Sequence, residues 1–441
     1  MAVSQRIGNQ WRKKVAMTGR AILHCDINCC YAQIECQAHP ELRGVPLVVG
    51  GDEEARRGIV LARNLLAKAA GIKTADTLVE ARRKCPGLVV VHPDYRMYMR
   101  ASGLARAIYY DYSDRVEPFG PDEAWLDVGG SCGCLGLTPL QMAEEISERM
   151  KAELGLTISV GVSDNKIYAK FGSDWKKPDA VTVVDEEFAR AHLLTAPVRE
   201  LLYVGEATER KLRSSGILTI GDLACASDAL LKRRLGKMGL VLKMFARGED
   251  SSEVKRLDPG RNDVRREVKS YGNGITFPRD IVDAATAKAV IWMLSEAVAQ
   301  RMREGGARAR TVAVAVRDAG TLASSGRQTT LLTPTNITSE VAGTAWGLME
   351  QVRAFSPDAP VRGLHVRASN LVPASEDIQL SLFDPLSPRA EMGALDADVD
   401  DLRRRFGNNA VVWGPKASCP DTLAMDAKRD NTVHPVSFFH R

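Results

Sequence analysis

The stretch HCDINCCYAQIEC, residues 24–36, sets one aspartate inside an otherwise apolar run. Its length and boundaries predict a short buried strand ending near Asp26, then a helix through YAQIECQAHPEL that stops at its proline. The following segments repeat the alternation. VPLVVGG reads as a strand closing in glycines, and GIVLARNLLAKAAGI as a strand leading into a short helix that carries Arg63, Lys68 and Lys73. Small α/β units fit this pattern.

Further along, a helix over 97–115 leads into RVEPFGPDEAWLDVGG, where Gly120 and Pro121 turn the chain and EAWLDV supplies a strand. Asp122 and Glu123 thus stand at the mouth of an apolar strand, as Asp26 does. LTISVGVS is another strand, followed by a basic helix, DNKIYAKFGSDWKKP, with Lys166, Lys170, Lys176 and Lys177 before Pro178 ends it.

From 190 to 250 the chain turns helical and glycine-punctuated. Gly205, Gly216, Gly236 and Gly239 fall at turns beside basic helices, the pattern of a helix-hairpin-helix unit offering backbone N–H groups to a phosphate; a plain helical hairpin is the alternative. EDSSEVKRLDPGRNDVRREVK reads as an exposed linker. Beyond it the order is strand, helix, strand, strand, helix, strand, a βαββαβ module consistent with a ferredoxin-like sheet whose other face is open. Residues 371–390 are rich in Pro, Ser and acids, and a short helix, LDADVDDLRRRFG, follows.

With 441 residues the chain is too long for a single core, which predicts several domains. Its net charge of +5 is concentrated: residues 255–370 hold 17 Lys and Arg against 11 Asp and Glu. No apolar run approaches the length of a membrane span, and the basic opening MAVSQRIGNQWRKK lacks the apolar core of a signal peptide, so a cytoplasmic protein is expected. Nine cysteines without a CxxC or CxxH pairing point to reduced thiols and not to zinc or disulfides, with Cys25, Cys29, Cys30 and Cys36 read as buried and Cys132 and Cys134 as loop residues.

Carboxylates gathered at strand ends without His or Cys partners favour a hard ion such as Mg²⁺. Paired Mg²⁺ ions about 4 Å apart activate an attacking hydroxyl and stabilise a leaving pyrophosphate. Basic residues then neutralise a triphosphate, and Lys177, Lys68 and Arg63 are the candidates.

Taken together, HCDINCCYAQIE, GPDEAWLD, SVGVSDNKIYAKFGSDWKKPDA and the hairpin at 203–224 resemble a Y-family, translesion DNA polymerase, over residues 20–410. The resemblance implies an α+β, multidomain right hand. Its ferredoxin-like palm would take residues 20–28 and 95–184, small fingers 29–94, a helix-hairpin-helix thumb 185–250, and a βαββαβ little finger 266–371. A basic extension, 1–19, a linker, 251–265, and a tail, 372–441, would complete the chain. Asp26, Asp122 and Glu123, helped by the Ile27 carbonyl, would hold two Mg²⁺ ions. Tyr31 matches the steric gate that excludes a ribose 2′-hydroxyl, and Lys177 the lysine that contacts the triphosphate. The implied activity is template-directed, low-fidelity addition of dNTPs to a primer 3′ end in DNA repair, by a monomer working at the nucleoid.

For the little finger, Arg279, Arg308, Arg310, Arg317, Arg327 and Arg367, with Gly205 of the thumb, are expected to grip primer-template phosphates. Gln379, Leu380, Leu382 and Phe383, in QLSLF, resemble the peptide with which bacterial polymerases bind the sliding clamp, a small anchor on a flexible tail; a buried strand is the alternative. The chain departs from the family at Asn28, Cys30, Leu65, Lys68 and Pro121. A catalytically silent adaptor between DNA and clamp is the rival reading, but such a protein should lose its carboxylates, and all three are present.

Overall fold

The computed structural model describes residues 20–51, 58–256, 268–376 and 386–414. These form two units, one of residues 20–51 and 59–256, the other of residues 268–376 and 386–414.

In the first unit β1 (Ile22–Ile27) runs into α1 (Cys30–Ala38), joined through Cys29 at a left-handed φ of 48°. The helix starts one residue before the predicted Tyr31, and Pro40 opens a separate 3₁₀ turn, Pro40–Gly44. Next come β2 (Leu47–Gly50), β3 (Val60–Arg63), α2 (Leu65–Ala69), α3 (Leu78–Lys84) and β4 (Val89–Val91). Asn64 caps α2, and Thr77 with Glu80 forms a capping box on α3. The strands make a small sheet, β3-β2-β4, with its own core around Val48, Ala67 and Leu78.

A second sheet, β5-β6-β1-β7-β8, is built from β1, β5 (Val116–Pro118), β6 (Glu123–Asp127), β7 (Ile158–Ser163) and β8 (Val181–Val183). Between these strands lie α4 (Tyr95–Tyr110), α5 (Pro139–Leu154) and α6 (Lys166–Trp175). Alternation along β1 sorts its residues. Leu23, Cys25 and Ile27 join the core under α4 and α5 with Tyr98, Ile108, Met142 and Ile146. The other face carries Ile22, His24 and Asp26 beneath α6, with Ile22 packed against Trp125, Ala169 and Val254.

Four helices follow: α7 (Glu206–Arg213), α8 (Ile220–Cys225), α9 (Asp228–Leu235) and α10 (Lys237–Ala246), closed over Leu212, Ile220, Leu231 and Leu242. The predicted linker is described only to Arg256, and its first residues are not free: Arg20 donates to the carbonyls of Asp250 and Ser252, Val254 is buried, and the Lys255 N–H donates to Glu117.

The second unit has the expected βαββαβ order: β9 (Ser270–Ile281), α11 (Ala284–Glu304), β10 (Ala307–Asp318), β11 (Ser324–Thr335), α12 (Thr338–Val352) and β12 (Val361–Pro373). Its sheet, β11-β10-β12-β9, is antiparallel throughout, so each βαβ half is split by a strand of the other half. It differs from the expected ferredoxin-like arrangement in pairing its second and fourth strands at the centre, not its first and third. Both helices cover one face.

α13 (Leu386–Phe406) is longer than the predicted LDADVDDLRRRFG helix. It buries Asp396, Asp400 and Arg403 against the unit: Arg303 pairs with Asp396 at 3.1 Å and Asp400 at 2.7 Å, Arg403 pairs with Glu296 at 2.8 Å, and the Thr338 N–H donates to Asp396 at 2.7 Å. Residues 1–19, most of the linker and the peptide Gln379, Leu380, Leu382 and Phe383 lie outside the described residues.

Candidate active site

Antiparallel pairing of β1 with β6 sets Asp26 directly opposite Glu123. The turn that feeds β6 is tight. Gly120 takes a φ of 101°, which favours glycine, the Phe119 N–H donates to the Glu123 carbonyl at 2.8 Å, and the Asp122 carbonyl accepts the Ile27 N–H at 3.0 Å. Pro121 fits inside this turn. Asp122 therefore stands at the strand mouth beside the other acids, and the three predicted carboxylates and the end of β1 are brought together.

α6 lies on the same face; it and the residues just past its end deliver two lysines. The Lys170 ammonium lies 3.0 Å from Asp26, 3.2 Å from Glu123 and 3.0 Å from Asp174. Lys177 lies 2.6 Å from the same Asp26 oxygen and 2.7 Å from Asp174. Lys177 was expected at the site; Lys170, Asp174 and His24 were not assigned to it. The missed signal is helical spacing: positions 170, 173 and 174 fall on one face of a helix laid across β1, and Lys177 follows two residues past its end.

His24 is fully buried. Its Nδ1 is 2.9 Å from Ser173 Oγ, and its Nε2 is 3.3 Å from Glu123 Oε2. Two residues before Asp26 on one strand, it shares the acids' face.

Electrostatics follow from crowding in a desolvated place. Burial, then the charges of Glu123 and Asp26, push Asp122 up to about 7. Asp26 is also raised, by burial first and by Glu123, against the pull of Lys170 and Lys177. Burial opposes the Glu123 carboxylate too, but the His24 imidazole and Lys170 outweigh it and hold the group down at about 2. Burial disfavours the Lys170 cation, yet Asp26, Glu123 and Asp174 raise its pKa. Acids this closely gathered, two of them already paired with ammonium groups, form a receptor for cations, and the donors are hard oxygens of the kind Mg²⁺ takes.

Tyr31 lies on α1 and stacks on Tyr98 at 4.3 Å, with Tyr95 edge-on to both. The buried Glu35 accepts from the Tyr98 hydroxyl and fixes the stack. The Cys29 thiol sits within the fields of Lys68, Arg63 and Lys177, so those three cations border the α1 N-terminus. Arg63 also donates to Thr74 at 2.6 Å. Leu65 is half exposed at the start of α2. Asn28 turns away to Thr157 and Ser159, and Cys30 is buried. Gly205 caps α7 and lines a cleft of about 410 Å³ with Lys170, Asp174 and Tyr203.

In the second unit the predicted basic face divides. Arg317, opposite Ser324 and Gly363, and Arg367, opposite Ala313 and Gly272, stand on the open face. Arg327 is opposite the core residue Val314, so it lies on the helix side, against Gly343 and Gly347 of α12. Arg308 donates to the Glu376 carbonyl at 3.3 Å and Arg310 lies 3.9 Å from the Glu376 carboxylate; Arg279 is exposed on β9.

Comparison with known proteins agrees with this architecture. Residues 25–174 match the impB/mucB/samB family, residues 268–382 its C-terminal domain, and residues 200–250 the thumb domain of DNA polymerase iota. A DNA polymerase IV of Acetivibrio thermocellus is 45% identical over 90% of this chain and 97% of its own length. Another, of Pelotomaculum thermopropionicum, is 38% identical over 89% and 94%. A Y-family DNA polymerase chimera superposes with a TM-score of 0.67 at 21% identity, covering 80% of this chain and 99% of its own. Matched in sequence along nine-tenths of its length and in fold across both units, the chain belongs to the Y family of DNA polymerases and is a DNA-directed DNA polymerase.

Proposed function

We propose that the enzyme extends primer 3′ ends across damaged template, with low fidelity, using two Mg²⁺ ions. The observation that carries this reading is the meeting of Asp26, Asp122 and Glu123 at the mouths of paired strands, with lysines already paired to Asp26 and Glu123. These acids and the Ile27 carbonyl would hold the ions. Bound there, Mg²⁺ supplies Lewis-acid activation of the 3′-hydroxyl and charge compensation at the leaving pyrophosphate.

The chain's own groups do the rest. Lys177 and Lys170, released from the carboxylates, turn to the triphosphate, with Asp174 holding whichever ammonium is not engaged. Lys68 and Arg63 approach the same anion from the fingers, and Leu65 offers it only an apolar surface. Tyr31, made rigid by Tyr98, closes the floor beneath the sugar and so selects dNTPs.

Domain limits follow the sequence reading, with palm at 20–28 and 95–184, fingers at 29–94, thumb at 185–250 and little finger at 266–371. Gly205 and Arg279, Arg308, Arg310, Arg317 and Arg367 would meet primer-template phosphates, with Arg317 and Arg367 leading from the open face; Arg327, on the helix side, drops out of the set. Residues 379–383 would recruit the sliding clamp to a monomeric enzyme acting at the nucleoid. Primer extension with Mg²⁺ and dNTPs, natural protein against Asp122→Ala, is the test. Extension across a lesion that disappears in the variant is expected; a natural protein that binds DNA and clamp but extends nothing would hand the case to the adaptor reading.

A further inference from the structure

Tyr203 is held in a backbone conformation that an aromatic residue avoids. Its φ is 70°, in the left-handed region, and the residue remains 53% exposed. Glycine takes such a turn without strain and is used just past α7 and α10, where Gly216 has a φ of 77° and Gly248 one of 70°. At position 203 the chain keeps a ring instead. Phe245 of α10 backs it, with the ring centres 6.1 Å apart and the planes 33° from parallel. The strained backbone thus presents a supported and half-exposed aromatic surface, a combination that points to use by a ligand.

That surface borders the cleft of about 410 Å³. One wall is α6, with Lys170, Phe171 and Asp174; the other is the segment 199–205, with Leu202, Tyr203 and Gly205. Lys170 reaches from the same helix to Asp26 at 3.0 Å and Glu123 at 3.2 Å, so the cleft lies beside the acids. Gly205 opens α7 and gives its first turn no side-chain cap, which leaves backbone N–H groups for an anion. Uncapped N–H groups beside an aromatic ring match a sugar–phosphate chain: phosphate to the N–H groups, the apolar face of a sugar to the ring. We propose that Tyr203 packs on a deoxyribose of the primer strand just upstream of its 3′ end, and so selects for the primer's sugar as Tyr31 would for that of the incoming nucleotide. Phosphate contacts cannot make this distinction, because DNA and RNA share them. A ribose 2′-hydroxyl pressed on the ring face loses water and gains no hydrogen bond in return.

The inference rests on the catalytic centre being at Asp26, Asp122 and Glu123, as proposed above. The test is steady-state extension by the full chain on undamaged template. An all-DNA primer is compared with the same primer carrying one ribonucleotide, moved stepwise back from the 3′ end. In the natural protein, the ribonucleotide at one of these steps should raise the KM for primer at least about 10-fold, with little change in kcat. Tyr203→Gly should abolish that penalty and raise the KM for the all-DNA primer, while its urea midpoint stays level or rises because glycine relieves the backbone. Tyr203→Phe, which keeps the ring, should behave as the natural protein does. Equal use of all primers by the natural protein overturns the inference, with no variant needed. So does a penalty that survives in Tyr203→Gly, whether or not the midpoint falls, since the ring would then serve packing alone. If Asp122→Ala is inactive in the same assay, either result removes only the role of Tyr203; if Asp122→Ala still extends primers, the catalytic centre and this inference fall together.

Discussion

Gly172 of α6 rests directly on Gly161 of β7: a Cβ built on Gly172 would stand 3.1 Å from the Gly161 Cα, and one on Gly161 would stand 1.8 Å from the Ala169 carbonyl oxygen. With no side chain between them, helix and sheet approach to backbone contact. This approach lets Lys170 reach Asp26 and Glu123, and Ser173 reach His24.

Gly161→Ala should accordingly be among the most damaging single substitutions in the unit. The clash is with backbone, so relief requires α6 to move; a loss of about 3 kcal/mol or more is expected. Urea unfolding followed by circular dichroism would measure it, and an unchanged midpoint would show that the helix does not lie as described.

Tyr31→Ala should admit ribonucleotides by opening the floor beneath the sugar. In single-nucleotide insertion assays the preference for dNTP over rNTP should fall at least about 100-fold, mostly through improved use of rNTPs. Undiminished sugar discrimination would remove Tyr31 from the gate.

Arg303→Ala should loosen α13, because it leaves Asp396 and Asp400 buried without their cation. The cost of breaking such a network from one side is about 3 kcal/mol, largely restored if both carboxylates are also made neutral. Limited proteolysis between α13 and β12, together with urea unfolding of single and triple variants, would read this out.

A pH effect is expected at the β10–β11 turn. Backbone and hydroxyl hydrogen bonds from Thr321, then Arg353, hold the Asp318 carboxyl down to about 2. A depressed carboxylate contributes stability above its unfolded value of 3.8, and that contribution is lost as pH falls from there toward 2. Carbon-detected NMR should place its midpoint near 2, and Arg353→Ala should raise it.

What could be read from the chain beforehand depended on patterns that are local. Asp26, Asp122 and Glu123 were legible because each interrupts or opens an apolar strand, and the βαββαβ order because strand and helix periods differ. His24 was not, because a histidine inside an apolar run looks like any buried polar residue until α6 is laid over it. Arg327 was grouped with Arg317 because the sequence does not state the register. In the hairpin register Arg317 stands opposite Ser324, so Arg327, three residues further along, takes the other face. α13 was underestimated because it docks through charge: Asp396, Asp400 and Arg403 face inward while Leu395, Leu402 and Phe406 are exposed, the reverse of the pattern by which helices are recognised.

That inverted helix would change the mechanics of the proposed recruitment. Residues 377–385, which contain the QLSLF sequence, run between the end of β12 and the start of α13, and both of those belong to the same unit. A partner taking hold of that sequence would pull at once on two anchors, one made of sheet hydrogen bonds in β12 and the other of buried ion pairs on α13. Load would be shared between the strand and the helix, so the grip should outlast failure of either attachment alone.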